Sequence, residues 1–220
     1  MVAQLKEALT VLITLLLSVS VHEYSHALAA YRLGDDTAAR QGRLTLNPFA
    51  HADPIGTLLL PLLGVLWGKG AFGWGRPVPY VPNHLTRRFS MRAGEAIISF
   101  AGPLANLVLA IISTLALYAI WHGLGRYLVL HPSLMPVIPL LYGLLRLNLV
   151  LFFFNLLPVP PLDGSKILAW VLGYRVDRLL DSLQSLGFFG LILAIMFGGI
   201  VIGPFVNFGL DLADRFIRFH

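Results

Sequence analysis

Apolar residues in this chain are gathered into long runs that are separated by shorter polar segments. Four runs are long enough to cross a bilayer as helices, because about 20 residues at about 1.5 Å each span its hydrocarbon core. They occupy residues 9–33, 96–121, 137–157 and 185–210. A fifth run, 55–67, has only 13 residues and is bracketed by Pro54 and Gly68. Its length favours a re-entrant hairpin over a crossing.

Two segments beside the short run carry a different pattern. Residues 39–47 alternate polar and apolar side chains, and residues 72–80 are rich in glycine, proline and aromatic residues. The first pattern is typical of a short strand and the second of an edge strand or an extended segment. We therefore predict an all-α integral membrane protein with about four transmembrane helices, a re-entrant hairpin and a small membrane-associated β-sheet. An edge of that sheet could pair with an unwound peptide.

Composition supports a membrane protein and excludes several other classes. The chain is 57% hydrophobic and 12% charged, with a mean hydropathy of +0.77, so the lipid bilayer is its expected surrounding. It contains no cysteine, which excludes disulfides, thiolate metal sites and cysteine nucleophiles. The net charge of +5 does not indicate nucleic-acid binding, because the basic residues are scattered between apolar runs and form no stripe.

Positive charge is distributed unevenly between the two sides that the runs would define. With 55–67 as a hairpin, eleven Lys and Arg lie on the side that carries segments 31–93 and 158–184, and four lie on the other. A full crossing at 55–67 would leave nine against six. Because cytoplasmic loops are enriched in Lys and Arg, the count favours the hairpin. The absence of cysteine and the preference for arginine over lysine indicate a multi-pass protein of the cytoplasmic membrane.

The first apolar run contains the sequence His22-Glu23-Tyr24-Ser25-His26. At about 100° per residue the two histidines lie one helical turn apart on one face, so both imidazoles can bind one Zn²⁺ while Glu23 stands beside a metal-bound water. Ionisable residues at membrane depth cost about 2.5–3.5 kcal/mol each on translocon scales, a cost that metal binding would offset. The run is therefore expected to remain as a membrane span and not to be removed as a signal peptide.

A catalytic zinc ion usually has three protein ligands and one open position, so a third ligand is needed. The acidic candidates are Asp53, Glu95 and Asp163. Glu95 stands at the start of a span, where capping of the helix is the simpler explanation. Asp163 follows three closely spaced prolines, at 158, 160 and 161, that end a helix, and a carboxylate just past such a break can point back into the bundle.

These motifs together resemble the site-2 protease family of intramembrane zinc metalloproteases. The resemblance is carried by HEYSH at 22–26 and by NLLPVPPLDG at 155–164. Further matches are LNPFAHADPIGT at 46–57, GWGRPVP at 73–79 and GPLAN at 102–106. The similarity covers most of residues 15–170 and suggests a minimal member without a PDZ or CBS domain.

The resemblance implies a core of three transmembrane helices around the metal, with membrane-inserted strands beside it. It implies that His22, His26 and Asp163 hold one Zn²⁺ per chain, that Glu23 is the general base, and that Asn155 lies near the substrate carbonyl. The candidate substrate-binding residues are Gly73, Trp74, Gly75 and Asn106, the last of which could instead form interhelical hydrogen bonds.

The expected function is that of an intramembrane zinc endopeptidase in regulated intramembrane proteolysis. It would cut a single-span membrane protein substrate in or near its transmembrane segment, at an active site that opens toward the cytoplasmic side. We expect one domain over 1–220, with a catalytic core at about 9–170 and a C-terminal span at about 185–210. The oligomeric state stays open.

A zinc or proton-coupled membrane transporter is the alternative function. A transporter should carry polar residues through the whole membrane thickness, whereas here they gather toward one side.

Three other polar residues lie in or beside the predicted membrane segments. His51 and Asp53 could bind metal but are more simply braces of a turn. Arg146 falls inside a span and requires a partner or a short reach to the outer surface.

Overall fold

The structure, a computed structural model, describes residues 2–66 and 73–219. Its regular structure is helical. The helices are α1 (Val2–Arg32), α2 (Thr37–Arg40), α3 (Pro48–His51), α4 (Leu60–Leu66), α5 (Met91–Ala119), α6 (Gly125–Leu130), α7 (Val137–Asn155), α8 (Asp163–Leu172), α9 (Asp177–Ser185) and α10 (Phe188–Ile217). Short π-helical or 3₁₀ turns lie at Pro54–Leu59, Pro82–His84, Ile120–Leu124, Pro132–Leu134 and Gly173–Val176.

Four of the helical segments are long and apolar enough to cross a membrane. They extend over Leu5–Arg32, Met91–Gly123, Pro132–Asn155 and Phe189–Ile217. The four predicted spans are therefore confirmed, and the protein is a multi-pass membrane protein. Helices α1, α5 and α10 each extend past the apolar run that predicted them at one end, whereas α7 begins where its run begins and ends two residues earlier.

Helices α1, α5 and α7 pack against one another, and α10 packs against α7 and α5. Buried apolar side chains of α5, α7 and α10 form the largest cluster of this bundle: Ala110, Leu117, Leu145, Leu149, Ile202, Val206, Ala213 and Ile217. Glycines let α10 approach α7 closely. A methyl group at Gly209 would lie 3.1 Å from the Leu149 side chain, and one at Gly198 would lie 3.1 Å from the Phe154 ring.

The short apolar run forms the turn Pro54–Leu59 and α4, with Asp53 as its N-cap. The Asp53 carboxylate accepts hydrogen bonds from the backbone N–H groups of Ile55 (3.0 Å) and Gly56 (2.7 Å). Residues 67–72, and with them the end of the predicted hairpin, lie outside the described residues. After them, the Trp74 N–H donates a hydrogen bond to Gly56 O at 3.2 Å. Residue 74 therefore lies beside residue 56, near the start of the short apolar run.

The predicted β-sheet is wrong: the described residues contain no β-strand. Ala52 and Gly75 form one isolated antiparallel bridge, and the Arg76 N–H donates to His51 O at 2.8 Å. The first expected strand, 39–47, instead begins in α2 and turns at Gly42, whose φ is 67°. Phe72 of the second lies outside the described residues, and the prolines at 77 and 79 lack the N–H groups that a ladder would need.

A buried carboxylate at the end of α1 fixes the loop that follows the extended segment. Asp35 accepts hydrogen bonds from the Thr37 N–H (3.1 Å) and hydroxyl (2.5 Å) and from the Val81 N–H (2.6 Å), and it lies 3.3 Å from His84 Nδ1. Burial alone would raise the pKa of Asp35, but these donors outweigh it and the pKa is lowered. Val81 and His84 are thereby held beside the segment that follows α1.

The chain between α7 and α8 turns sharply and brings the start of α8 under the end of α7. A methyl group at Gly164 would collide with the carbonyl groups of Leu156 and Leu157, so only glycine allows this approach. Helix α9 is held to α5 by Arg92, which donates to both carboxylate oxygens of Asp177 at 3.0 and 2.6 Å. The position of Asp163, the first residue of α8, is set by this packing.

Candidate metal centre

Three predicted ligands meet between α1 and the start of α8. The Nε2 atoms of His22 and His26 lie 2.9 Å apart, and each lies 3.4 Å from Asp163 Oδ2. The histidines are neighbours because a helix places residues four apart on one face. Asp163 joins them only through the turn that follows α7.

The donor set fits a zinc ion. Ligand atoms about 2.0–2.2 Å from a tetrahedral zinc lie about 3.3–3.6 Å from one another. The two 3.4 Å separations to Asp163 match this range, and the two Nε2 atoms, at 2.9 Å, are closer together. Asp163 Oδ2 is buried and makes no hydrogen bond, which is costly for a carboxylate oxygen unless a cation neutralises it. Two imidazoles and one carboxylate form a ligand set that catalytic zinc uses. Within the described ranges, no other group of three His, Asp or Glu comes this close together.

Both imidazoles are oriented by partners on α5. His26 Nδ1 lies 2.7 Å from the backbone carbonyl of Ile98, which can only accept, so Nδ1 carries a hydrogen and the neutral ring has its lone pair on Nε2. His22 Nδ1 lies 2.6 Å from Asn106 Oδ1. Such partners fix the ring orientation and tautomer of a metal-ligating histidine.

Gly102 is the point on α5 where the two rings pack. A methyl group there would lie 2.7 Å from His22 Cε1 and closer still to the His26 ring. Neither Gly102 nor Ile98 was predicted to contribute to the site. The GPLAN match contains Gly102, but only the packing shows what the glycine is for, and a backbone carbonyl such as that of Ile98 leaves no signal in the sequence.

Glu23 lies beside the ligands and is largely buried. Its Oε2 accepts a hydrogen bond from the Val78 N–H at 2.9 Å. The extended segment approaches this closely because Gly75 has no side chain: a methyl group there would collide with Val19 and lie 3.5 Å from Glu23 Oε1. The segment 73–80 therefore forms one wall of the site.

A cavity of about 490 Å³ opens next to the three ligands. Its walls include Gly73, Trp74, Gly75 and Asn155, together with apolar side chains of α7 such as Phe154. Asn155 is the last residue of α7, and its amide donates to Leu151 O at 2.9 Å.

The remaining candidates lie elsewhere. Asn106 is fully buried behind His22 and does not line this cavity. Glu95 lies 3.9 Å from Lys166 Nζ and accepts a hydrogen bond from Tyr80 at 3.4 Å. Burial of the Tyr80 hydroxyl raises its pKa most, and the negative charge of Glu95 raises the pKa further, so Tyr80 stays protonated.

His51 braces a turn, since its Nε2 lies 2.7 Å from Thr45 O. Asp53 caps a helix, as described above. Arg146 lies exposed on α7, nine residues from either end of that helix.

Comparison with known proteins decides the family. Residues 133–199 match the model of Peptidase family M50. The chain is also 39% identical over 204 residues to YwhC of Bacillus subtilis, which is named as a zinc metalloprotease, and the match covers 90% of this chain and 86% of YwhC.

The chain belongs to peptidase family M50. Two further relatives of this M50 peptidase are Rip2 of Mycolicibacterium smegmatis (34% identical, 79% of this chain and 61% of Rip2) and Rip2 of Mycobacterium tuberculosis (35% identical, 70% of this chain and 53% of Rip2), both also named as zinc metalloproteases. No solved structure matches the chain.

The M50 assignment makes the protein a zinc metalloprotease, with Zn²⁺ as its cofactor. The predicted enzyme class, cofactor and relation to site-2 proteases are confirmed. The transporter alternative is set aside, because the family and its named relatives are peptidases.

Proposed function

We propose that this M50 peptidase hydrolyses a peptide bond in or near the transmembrane segment of a single-span membrane protein, at a zinc ion held by His22, His26 and Asp163. The observation that carries the proposal is the meeting of these three side chains beside a cavity within the helix bundle. His26 and His22 lie about 9 and 15 Å along α1 from its end at Arg32, a depth that a transmembrane substrate reaches.

Glu23 is the proposed general base. When bound, Zn²⁺ supplies Lewis acidity toward the scissile carbonyl and the attacking water. Glu23 takes a proton from that water as the new C–O bond forms, and it passes the proton to the amine nitrogen as the C–N bond breaks. The Val78 N–H holds Glu23 Oε2 and leaves Oε1 for the proton. Asn155 lies at the cavity wall, where its amide can turn from Leu151 O to donate to the oxygen of the reacting carbonyl.

The extended segment 73–80 is the proposed seat of an unwound substrate. The N–H groups of Trp74 and Arg76 are occupied by Gly56 O and His51 O on one side. In extended backbone the N–H and C=O of the residue between them, Gly75, point the opposite way. Gly75 lines the cavity, so a substrate strand could pair there by backbone hydrogen bonds alone.

The proposed active site opens toward the cytoplasm, in a protein of the cytoplasmic membrane that forms one domain. The Arg-rich segments 31–93 and 158–184 support this orientation. The chain has no cysteine, so single cysteines at Arg88 and His131 can be introduced and labelled with a membrane-impermeant maleimide in intact cells. Labelling of the His131→Cys variant alone is expected, whereas labelling of Arg88→Cys from outside would reverse the orientation.

The catalytic assignment is tested by zinc analysis and by cleavage of a model single-span substrate. We expect about one zinc per chain in the wild type. Glu23→Gln should retain that zinc but lose about 100-fold or more of the cleavage rate, the usual contribution of a general base. His22→Ala should lose both zinc and cleavage.

Matched controls are available on the same chain. Glu7→Gln makes the same change at an exposed position of α1, and His131→Ala removes an exposed histidine of a loop. Both should retain zinc and activity. Retained cleavage in Glu23→Gln would overturn the proposed base, and retained zinc in His22→Ala would overturn the proposed ligand set.

A further inference from the structure

A hydrogen-bonded network of polar side chains lies directly behind His22, within the bundle of α1, α5 and α7. Its members, Ser18, Asn106 and Asn148, come one from each helix and are 0% exposed. Asn106 Nδ2 donates to Asn148 Oδ1 at 2.7 Å and to Ser18 O at 3.3 Å. Asn148 Nδ2 donates to Ser18 Oγ and to Leu144 O, each at 2.8 Å.

The network leaves each amide with one possible orientation. Oxygen and nitrogen of an asparagine amide are assigned by their partners, and backbone carbonyls can only accept. Leu144 O therefore requires the nitrogen of Asn148 on its side, which turns Asn148 Oδ1 toward Asn106. Both Asn148 Oδ1 and Ser18 O then require the nitrogen of Asn106, so its oxygen faces His22 Nδ1.

The orientation of Asn106 determines what His22 can present to a metal. Asn106 Oδ1 at 2.6 Å is an acceptor, so His22 Nδ1 must carry the hydrogen. In the neutral ring the lone pair is then on Nε2, the atom directed at His26 and Asp163. The opposite tautomer would place two acceptors, His22 Nδ1 and Asn106 Oδ1, 2.6 Å apart within the buried network, which is unfavourable.

We propose that Asn106, held in place by Asn148 and Ser18, is a positioning residue that fixes the orientation and tautomer of His22 for metal binding. This inference rests on the proposed function, because it takes His22 to be a ligand. Asn106 is not a substrate-binding residue in this account, since it is buried behind the imidazole and does not contact the cavity. The polar cluster at membrane depth is tolerated because each amide finds partners within it.

The zinc affinity of Asn106→Leu tests the proposal. Zinc is titrated against a competing chelator in purified protein, so the readout does not depend on activity. Loss of a hydrogen-bond partner to a ligand typically weakens metal binding about 10- to 100-fold, and we expect a loss in that range. Asn106→Asp keeps an oxygen opposite His22 Nδ1 but removes the donors to Asn148 Oδ1 and Ser18 O, so it should be less stable than the wild type yet lose less zinc affinity than Asn106→Leu.

Two further measurements separate positioning from general stability. Asn207→Leu removes an amide from the exposed face of α10 and should leave the zinc affinity unchanged. In zinc-loaded protein labelled with ¹⁵N-histidine, the Nδ1–H of His22 should be visible and slow to exchange. This wild-type measurement remains informative even if Asn106→Leu fails to fold, because a hydrogen on Nε2 instead of Nδ1 would overturn the proposal.

The outcomes also distinguish this inference from the proposed function. If His22→Ala loses zinc while Asn106→Leu binds with wild-type affinity, the ligand set stands and the positioning role falls. A role in folding alone would lower the melting temperature of zinc-free Asn106→Leu without changing its zinc affinity. If His22→Ala keeps wild-type zinc, the proposed ligand set itself is wrong.

Discussion

Replacement of Gly102 by alanine tests whether the two imidazoles must keep their observed positions to bind zinc. Gly102 lies on α5 opposite both rings, and the added methyl group would stand 2.7 Å from His22 Cε1 and closer to the His26 ring. The atoms that it meets are the tips of side chains and not backbone. The rings can therefore move aside, and the helix itself is not forced to shift.

The size of that movement decides the effect. Ordinary contact begins at about 3.4 Å, so the His22 ring must shift by about 0.7 Å, and the His26 ring by more. Zinc–ligand distances are tolerant to only about 0.2 Å. The shift also strains the hydrogen bonds from Nδ1 of the rings to Ile98 O and Asn106, and each lost partner of this kind weakens binding about 10- to 100-fold. We expect zinc affinity to fall by about 100-fold or more.

Zinc affinity and thermal stability are measured on the same purified protein. Alanine is about 1 kcal/mol more favourable than glycine inside a helix, which offsets part of the strain on the two hydrogen bonds of the rings. The melting temperature of zinc-free Gly102→Ala should therefore stay within a few degrees of that of the zinc-free wild type. The rise in melting temperature that zinc produces in the wild type should be greatly reduced in the variant.

The control is Gly199→Ala in α10, where an added methyl group meets no atom within 4 Å. It should bind zinc as the wild type does. Wild-type zinc affinity in Gly102→Ala would refute the reasoning, because it would mean that the rings are not confined against α5. A large drop in the stability of zinc-free Gly102→Ala would refute the claim that only the rings move.

Three other predictions concern the walls and supports of the site. Val78→Pro removes the N–H that binds Glu23 and should lower the cleavage rate on the order of 10-fold without loss of zinc, as measured by cleavage and metal analysis. Asp35→Asn should lower the free energy of unfolding at neutral pH. Because the folded pKa of Asp35 is lowered, the carboxylate stabilises the protein above about pH 4 and loses that effect as the pH falls, so the two melting temperatures should converge in acid. Gly164→Ala forces a methyl group against Leu156 O, so it should displace the start of α8 with Asp163 and abolish zinc binding. A variant that binds zinc with wild-type affinity would contradict this prediction.

The predicted transmembrane architecture was correct because each span is a property of a contiguous segment. About 20 apolar residues in a row satisfy their backbone groups only as a helix when they lie in lipid. The prediction of a small sheet was wrong, because strand pairing is not a property of one contiguous segment. The alternation at 39–47 matched a strand, but Gly42 turns the backbone there, and the prolines of 73–80 allow single pairings without a ladder. Residue alternation does not report which hydrogen-bonding partners are available.

The residues of the candidate site also differ in whether local sequence or tertiary packing places them. His22, Glu23 and His26 could be placed together from the sequence, because the periodicity of one helix sets their spacing. Asp163 was a prediction from a proline break and a family resemblance, and its ligand oxygen lies beside residues 137 or more positions earlier in the chain.

The sequence by itself thus determined the four membrane spans, the pair of imidazoles on one helical face and the absence of any thiolate ligand. Only the tertiary structure decided which carboxylate reaches those imidazoles, which glycine makes room for them and which amide orients His22. The reason is physical: helical spacing and lipid burial act over a few neighbouring residues. The contact between Asn106 and His22, by contrast, joins residues 84 apart and exists only when α5 packs against α1.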